Sequence, residues 1–276
     1  MILITLIVKM SVIPIPADVN ISTLHPRVVD LFKKPQYAQR TPEWYEVRKS
    51  LMTASESSAA LGIKPFNGFR GCPREDLLMK KLNTVPVLGM ALSHGVKYES
   101  EAAELAMSIL GERMFDFGLI VHDEYPWLAA SPDGITSRGY CVEIKCPMRR
   151  QIIPGHVPSH YYPQIQVQME VCNVDFCYFI QYKPGFMNDG GKPFIDIVVV
   201  ERDRMWFEAR KNILLGFYTE LMERKTTHVS VTEEASITED IVEGLYVIDR
   251  EPYEREYDDD SEPEVIIECT VVEDLY

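Results

Sequence analysis

Two apolar runs, Phe117–His122 and Tyr140–Cys146, bracket a stretch of turn residues that contains Ser131-Pro132-Asp133-Gly134. Nothing else in the chain limits its fold so tightly. Apolar runs of this length on either side of a turn predict a β-hairpin or a β-meander. Side chains along a strand alternate between its faces. Val142 and Ile144 are therefore expected in a core, while Cys141, Glu143 and Lys145 share the opposite face. A charged face on a strand buried by apolar flanks is costly unless its charges find partners. Asp133, released from a turn at the end of the neighbouring strand, is placed to converge on Glu143.

A Pro-Asp-Gly turn is by itself an ordinary turn, and acid-x-Lys is common on exposed strands. Their conjunction on a buried strand is more specific. Two carboxylates hold a hard cation through oxygen, and an adjacent ammonium can orient or activate a water beside it. These residue types suit metal-assisted hydrolysis of a phosphodiester.

Helical signals frame the strands. Thr41-Pro42 reads as an N-cap followed by a first-turn proline, opening a short helix over 43–48. Thr53-Ala-Ser-Glu56 fits a capping box before a small-residue helix at 57–61. Further helices are expected at 74–82 and 88–110, the second with Ala102, Ala103 and Ala106 allowing close packing. After the strands, 160–172 has helical period, with Ile165, Met169 and Cys172 on one side and Tyr161, Gln164 and Gln168 on a neighbouring stripe. Strands at 176–183 and 194–200 and an amphipathic helix at 203–225 complete an α/β organisation. The expected domains are an irregular N-terminal arm (1–40, with a short helix near 28–34), a catalytic core (41–225) and an acidic C-terminal extension (226–276), partly flexible.

The net charge of −14 at first argues against a nucleic-acid enzyme. Its distribution removes the objection. Residues 226–276 hold 17 acids against Arg250 and Arg255, while residues 1–225 hold 25 acids against 26 bases. A near-neutral body can carry a basic groove. Of the six cysteines (72, 141, 146, 172, 177 and 269), none forms a Cys-x-x-Cys pair or has a histidine at zinc-finger spacing. Free buried thiols are expected, with Cys141 bordering the Glu143 face. Met1–Val8 is apolar but too short to span a bilayer, and it lacks a basic start or cleavage site. With no targeting signal visible, an intracellular protein without a membrane partner is expected.

Several shorter motifs then fall into order: Trp44-x3-Arg48-x4-Thr53-Ala-Ser55, Gly95-x2-Tyr98-Glu99, Ser131-Pro-Asp133-Gly, Glu143-Ile-Lys145-Cys-Pro147 and Tyr161-x2-Gln164-x-Gln166. This series resembles the λ-exonuclease, or YqaJ-like viral recombinase, family of PD-(D/E)xK nucleases. The resemblance implies a restriction-endonuclease-like core, a central mixed sheet flanked by helices. It implies a magnesium-dependent exonuclease, with manganese as a substitute ion, that digests the 5′-ended strand of linear duplex DNA during recombination or DNA processing. By the same resemblance Glu99, Asp133, Glu143 and the carbonyl of Ile144 bind metal, and Lys145 is the catalytic lysine. Arg48, Ser55, Ser131 and Gln164, with Tyr161 beside them, form the 5′-phosphate pocket. Partners implied are double-stranded DNA ends, a single-strand annealing protein and further copies of the chain in a ring trimer.

Two rival readings keep the same fold. A structure-specific or nicking endonuclease would use the same carboxylates, but it has no need of a 5′-phosphate pocket at Arg48, Ser55 and Gln164. A non-catalytic DNA-binding protein would have no need of the complete Asp133, Glu143 and Lys145 set.

Overall fold

Strand β6 (Cys141–Lys145) lies at the centre of a five-stranded mixed sheet, and its two faces have different fates. The computed structural model describes residues 10–66, 68–83, 90–187 and 191–235. The sheet order is β2 (Met114–Phe115), β5 (Gly134–Thr136), β6, β7 (Phe176–Lys183), β8 (Phe194–Glu201). β6 and β7 run parallel, while the other neighbours are antiparallel. The parallel step needs a crossover, and helix α6 (Tyr162–Cys172) supplies it.

Val142 and Ile144 point into a core closed by a long helix, α5 in chain order (Met90–Leu110). Ala102 and Ala106 are fully buried against them, together with Tyr178, Ile180 and Tyr182 of β7. Small side chains let this helix sit close to the sheet, and a leucine at Ala102 would overpack it at a cost of about 1–3 kcal/mol. Cys141 and Glu143 face the other way, towards α6, as the alternation predicts.

A second, three-stranded sheet has the order β1 (Met52–Thr53), β4 (Leu128–Ala130), β3 (Ile120–Val121). The sequence suggested that the runs at 117–122 and 140–146 form one hairpin or meander. Instead β3 pairs with β4, and the chain changes sheets at Ser131–Asp133 before entering β5. The physical reason is the intervening Leu128–Ala130 run. It is apolar enough to be buried on both faces, and so it makes its own sheet with β1 and β3.

The remaining helices are α1 (Pro26–Lys33), α2 (Pro42–Lys49), α3 (Ser57–Ala60), α4 (Pro73–Asn83) and α7 (Arg204–Ala235). Within the segment expected as an arm, α1 buries Val28, Leu31 and Phe32, with Phe32 packed on Phe115 and Phe117. Helix α7 continues past Lys225, where the sequence reading ended it. Residues 226–235 contain neither glycine nor proline to stop a helix. Helix α6 is buried on nearly every side, so its polar side chains must be satisfied internally. Gln166 does this by donating to the Glu201 carbonyl (2.9 Å) and accepting from Asp203 N (2.7 Å).

Among the described residues no helix is long and apolar enough to cross a membrane. Met1–Val8, Cys269 and the acidic run at 251–264 lie outside the described residues. Cys141, Cys172 and Cys177 are buried free thiols as expected, whereas Cys146 is only partly buried and Cys72 is exposed. Cys72 sits in a Gly/Pro-rich loop before α4, which offers no apolar run to cover it.

Candidate active site

The chain brings Asp133 to Glu143 by extending the β5–β6 ladder. Asp133 N donates to the Val142 carbonyl at 3.1 Å, and its own carboxylate Oδ2 accepts from Ile144 N at 2.7 Å. The side chain thus takes the place of the next backbone acceptor. Burial, Glu143 and Glu99 together push the Asp133 carboxyl well above the usual range, with Lys145 opposing them.

Glu143 is almost completely buried and receives three donors. Gln164 Nε2 donates to Oε1 at 2.7 Å, Gln168 Nε2 donates to Oε2 at 2.6 Å, and the Lys145 ammonium pairs with Oε1. Both glutamines belong to α6 and lie one helical turn apart, so they hold the carboxylate from above like a fork. The Lys145 ammonium also lies 5.0 Å from the centre of the Tyr161 ring. Burial alone would lower the pKa of Lys145, but Glu143, Tyr161 and Asp133 outweigh it and hold the amine charged. Below this group lie Cys141, Cys172 and Cys177. Cys141 and Cys177 are register partners on β6 and β7, and burial raises both thiols beyond the ordinary range, for Cys141 together with a hydrogen bond to Cys172.

A second cluster forms where β1 and β4 run parallel. Thr53 is in register with Ala129, so the residues two positions further on, Ser55 and Ser131, leave the sheet side by side. Arg48 Nη2 donates to Ser55 Oγ at 2.9 Å, and Trp44 Nε1 donates to Ser131 Oγ at 2.9 Å. The Arg48 guanidinium stacks over the Trp44 ring, 4.2 Å from its centre. Trp44 therefore joins Ser131 to the arginine, which reaches Ser55 directly. Burial pulls Arg48 below its ordinary value, with Glu56 opposing, so an anion at its side would relieve an unfavourable environment.

The structure thus gathers Asp133, Glu143, Lys145, Tyr161 and Gln164 into one group, and Arg48, Ser55 and Ser131 into another. Gln164 directs its amide to Glu143 and not to the arginine. Ile144 contributes its N–H to Asp133, while its side chain serves the α5 core. Glu99 on α5 is engaged by Arg40, whose Nη2 lies 2.9 and 2.8 Å from its two oxygens. Among the described residues no three acidic, histidine or cysteine side chains are gathered closely enough to hold a metal ion. The donor chemistry nevertheless suits a hard dication. Asp133 is a half-buried carboxylate raised by desolvation and two other carboxylates, which is the environment such an ion stabilises.

Residues that touch these side chains but were given no role from sequence are Trp44, Gln168, Arg40 and Lys81, the last donating to the Arg48 carbonyl at 2.8 Å. Trp44 and Gln168 carried a signal, one within the Trp44-x3-Arg48 motif and the other on the Tyr161/Gln164 stripe. Lys81 and Arg40 carried none, since their partners are distant in sequence.

The YqaJ-like viral recombinase domain family matches residues 43–175, a span from the start of α2 to the end of α6. Residues 43–175 form a YqaJ-like viral recombinase domain. The span contains both clusters and Glu99. An uncharacterised protein of Acanthamoeba polyphaga mimivirus is 32% identical over 174 residues, or 56% of this chain. The chain spans only 31% of the length of that relative. Among solved structures, an alkaline exonuclease from Laribacter hongkongensis superposes with a TM-score of 0.57 at 22% identity, covering 71% of this chain and 99% of that one. The same figures hold for its complex with dAMP. The recombinase domain therefore has the restriction-endonuclease-like α/β fold of these nucleases.

Proposed function

We propose that the chain is a magnesium-dependent exonuclease that digests the 5′-ended strand of linear double-stranded DNA. The observation that carries this reading is the pairing of the two clusters. An Asp133–Glu143–Lys145 group built on the buried Glu143 serves hydrolysis, and an Arg48–Ser55/Trp44–Ser131 group beside it has the donors to hold a terminal phosphate. The YqaJ-like domain and the fold shared with an alkaline exonuclease support the same reading.

Asp133, Glu143, Glu99 and the Ile144 carbonyl would hold divalent ions, with manganese able to replace magnesium. Bound ions neutralise charge on the phosphoryl oxygens and ease departure of the leaving oxygen. The chain's own residues do the positioning. Gln164 and Gln168 keep Glu143 in one rotamer, so its oxygens need no reorganisation before reaction. Lys145, paired with Glu143 and set over the Tyr161 ring, is placed to orient a water or a phosphate oxygen. Arg48 offers a planar fork of donors to the terminal phosphate, which fixes the distance from strand end to scissile bond. Successive cuts would leave a single strand suited to an annealing protein, and a ring of three copies would keep the duplex enclosed.

The test is end-labelled duplex digestion with magnesium or manganese, using linear DNA bearing a 5′-phosphate or a 5′-hydroxyl, and covalently closed circles. Preference for the 5′-phosphate, release of label from 5′ ends and inert circles are expected. Arg48→Ala should erase most of that preference, a loss of about ten- to a hundredfold for one charge-assisted contact. Efficient nicking of closed circles would replace this reading with the endonuclease.

A further inference from the structure

We propose that Arg40 is a positioning residue for Glu99: a tethered guanidinium that neutralises this carboxylate and that a divalent cation must displace to complete the metal site. The proposal rests on the metal-site reading above.

The contact itself is the first support. One terminal nitrogen of Arg40 lies within 2.9 Å of Glu99 Oε1 and 2.8 Å of Oε2, so both oxygens that could ligate a cation already face a positive charge. The backbone is the second. Arg40 has φ 63°, and among the described residues only Asn173 is another non-glycine with positive φ. Asn173 is the left-handed cap that ends α6, a position asparagine tolerates well. An arginine gains nothing from that conformation, so something else must hold it there.

Its neighbours do. Gln39 Nε2 donates to the carbonyls of Phe117 (2.8 Å) and Pro132 (2.9 Å), and Thr41 caps α2 through Trp44 N (3.2 Å). Pro132 immediately precedes Asp133. The anchor that sets the Arg40 backbone is thus also the anchor of the catalytic turn, and Arg40 is held in register with the site it serves. The pair is open to solvent, with Arg40 half exposed and Glu99 29% exposed. Exposed ion pairs are weak, so a dication drawn to Glu99 can outcompete the guanidinium.

Manganese binding to the full chain, measured by calorimetry without DNA, tests this. Arg40→Gly removes the competing charge and suits the positive φ, so the variant should melt no lower than the wild type. Its manganese affinity should rise by about three- to tenfold, the range expected for losing an exposed competing pair. Arg40→Lys should fall between the two. The gain should vanish when Glu99→Gln is added to Arg40→Gly. If Arg40→Gly binds manganese no tighter while Asp133→Asn loses binding, the proposal is overturned and the metal-site reading stands. A gain that survives Glu99→Gln also overturns it. If Asp133→Asn binds manganese as the wild type does, the metal-site reading falls and takes the proposal with it.

Discussion

Lys81 Nζ donates to the main-chain carbonyl of Arg48 at 2.8 Å and to Glu56 Oε1 at 2.7 Å, joining three segments at one buried ammonium. Glu56 uses its other oxygen to accept from Thr53 N at 3.0 Å, closing the capping box that contains Ser55. Lys225 of α7 meets the next carbonyl, that of Lys49, at 2.7 Å. Two ammoniums therefore hold the C-terminal end of α2, where a positive charge also complements the helix dipole. The helix that presents Arg48 is fixed by residues from α4 and α7.

Lys81→Met should accordingly disturb Arg48 without touching DNA itself. Removing one partner of a buried pair leaves Glu56 uncompensated, at a cost of about 3–5 kcal/mol. A fall in the 5′-phosphate to 5′-hydroxyl rate ratio should accompany the lower melting temperature. Adding Glu56→Gln should recover part of the stability, because no buried charge is then left unpaired. Calorimetry and paired digestion rates measure both effects.

Glu143→Ala should abolish digestion and leave duplex binding largely intact, since phosphate contacts elsewhere dominate affinity. Gln168→Leu tests the same carboxylate more gently. It removes a 2.6 Å hydrogen bond to a charged group while keeping side-chain bulk. Turnover should fall by about tenfold to a hundredfold with duplex affinity unchanged. Normal turnover in Gln168→Leu would show that Gln164 and Lys145 orient Glu143 unaided.

Glu170 predicts a pH dependence of stability. It sits on α6, and Arg202 donates to its Oε2 through Nη2 at 2.7 Å and Nε at 3.0 Å. Burial alone would raise its pKa, but His122, whose Nε2 lies 3.7 Å from Oε1, and the hydrogen bonds from Arg202 outweigh that and hold it below the ordinary glutamate value. A depressed carboxyl stabilises the fold above its unfolded value, and that contribution is lost as pH falls through the folded one. Glu170→Gln should therefore destabilise the protein by about 2 kcal/mol at neutral pH, the scale of a hydrogen bond to a charged group. The difference from wild type should shrink below the ordinary glutamate range. Urea midpoints across that pH window would show it, and a difference independent of pH would contradict the assignment.

Truncation after Ala235 should strengthen duplex binding at low salt. Residues 236–276 hold 15 acids against Arg250 and Arg255, and their repulsion of DNA is screened as salt rises. The cut belongs after 235 because Arg224 and Lys225 of α7 hold Glu75 and Lys49. Equal affinities at low salt would show that the acidic segment does not reach the binding surface.

The metal-site candidates were legible because their chemistry is local. Alternation in β6 alone places Glu143 and Lys145 opposite Val142 and Ile144, and a single turn carries Asp133. The stripe on α6 likewise revealed Gln164 and Gln168 together. The split into two sheets was not legible, since Phe117–His122 and Leu128–Ala130 are equally apolar and nothing local says which neighbour each will choose. Lys81 and Arg40 were illegible for a related reason. Their partners, Glu56 with the Arg48 carbonyl and Glu99, lie 25 to 59 residues away and are reached only through tertiary packing. The end of α7 was missed because β-branched residues after Lys225 weaken a helix without stopping it.

The passage of the chain between its sheets at Ser131–Asp133 sets how the gene can vary. A residue inserted at the exposed turn at Ile153–Pro154 would lengthen a surface excursion. One inserted between Ala130 and Gly134 would turn Asp133 away from Ile144 N and pull Ser131 from Trp44 in the same stroke. The two halves of the site share three residues of spacer. Drift in that length has no neutral step.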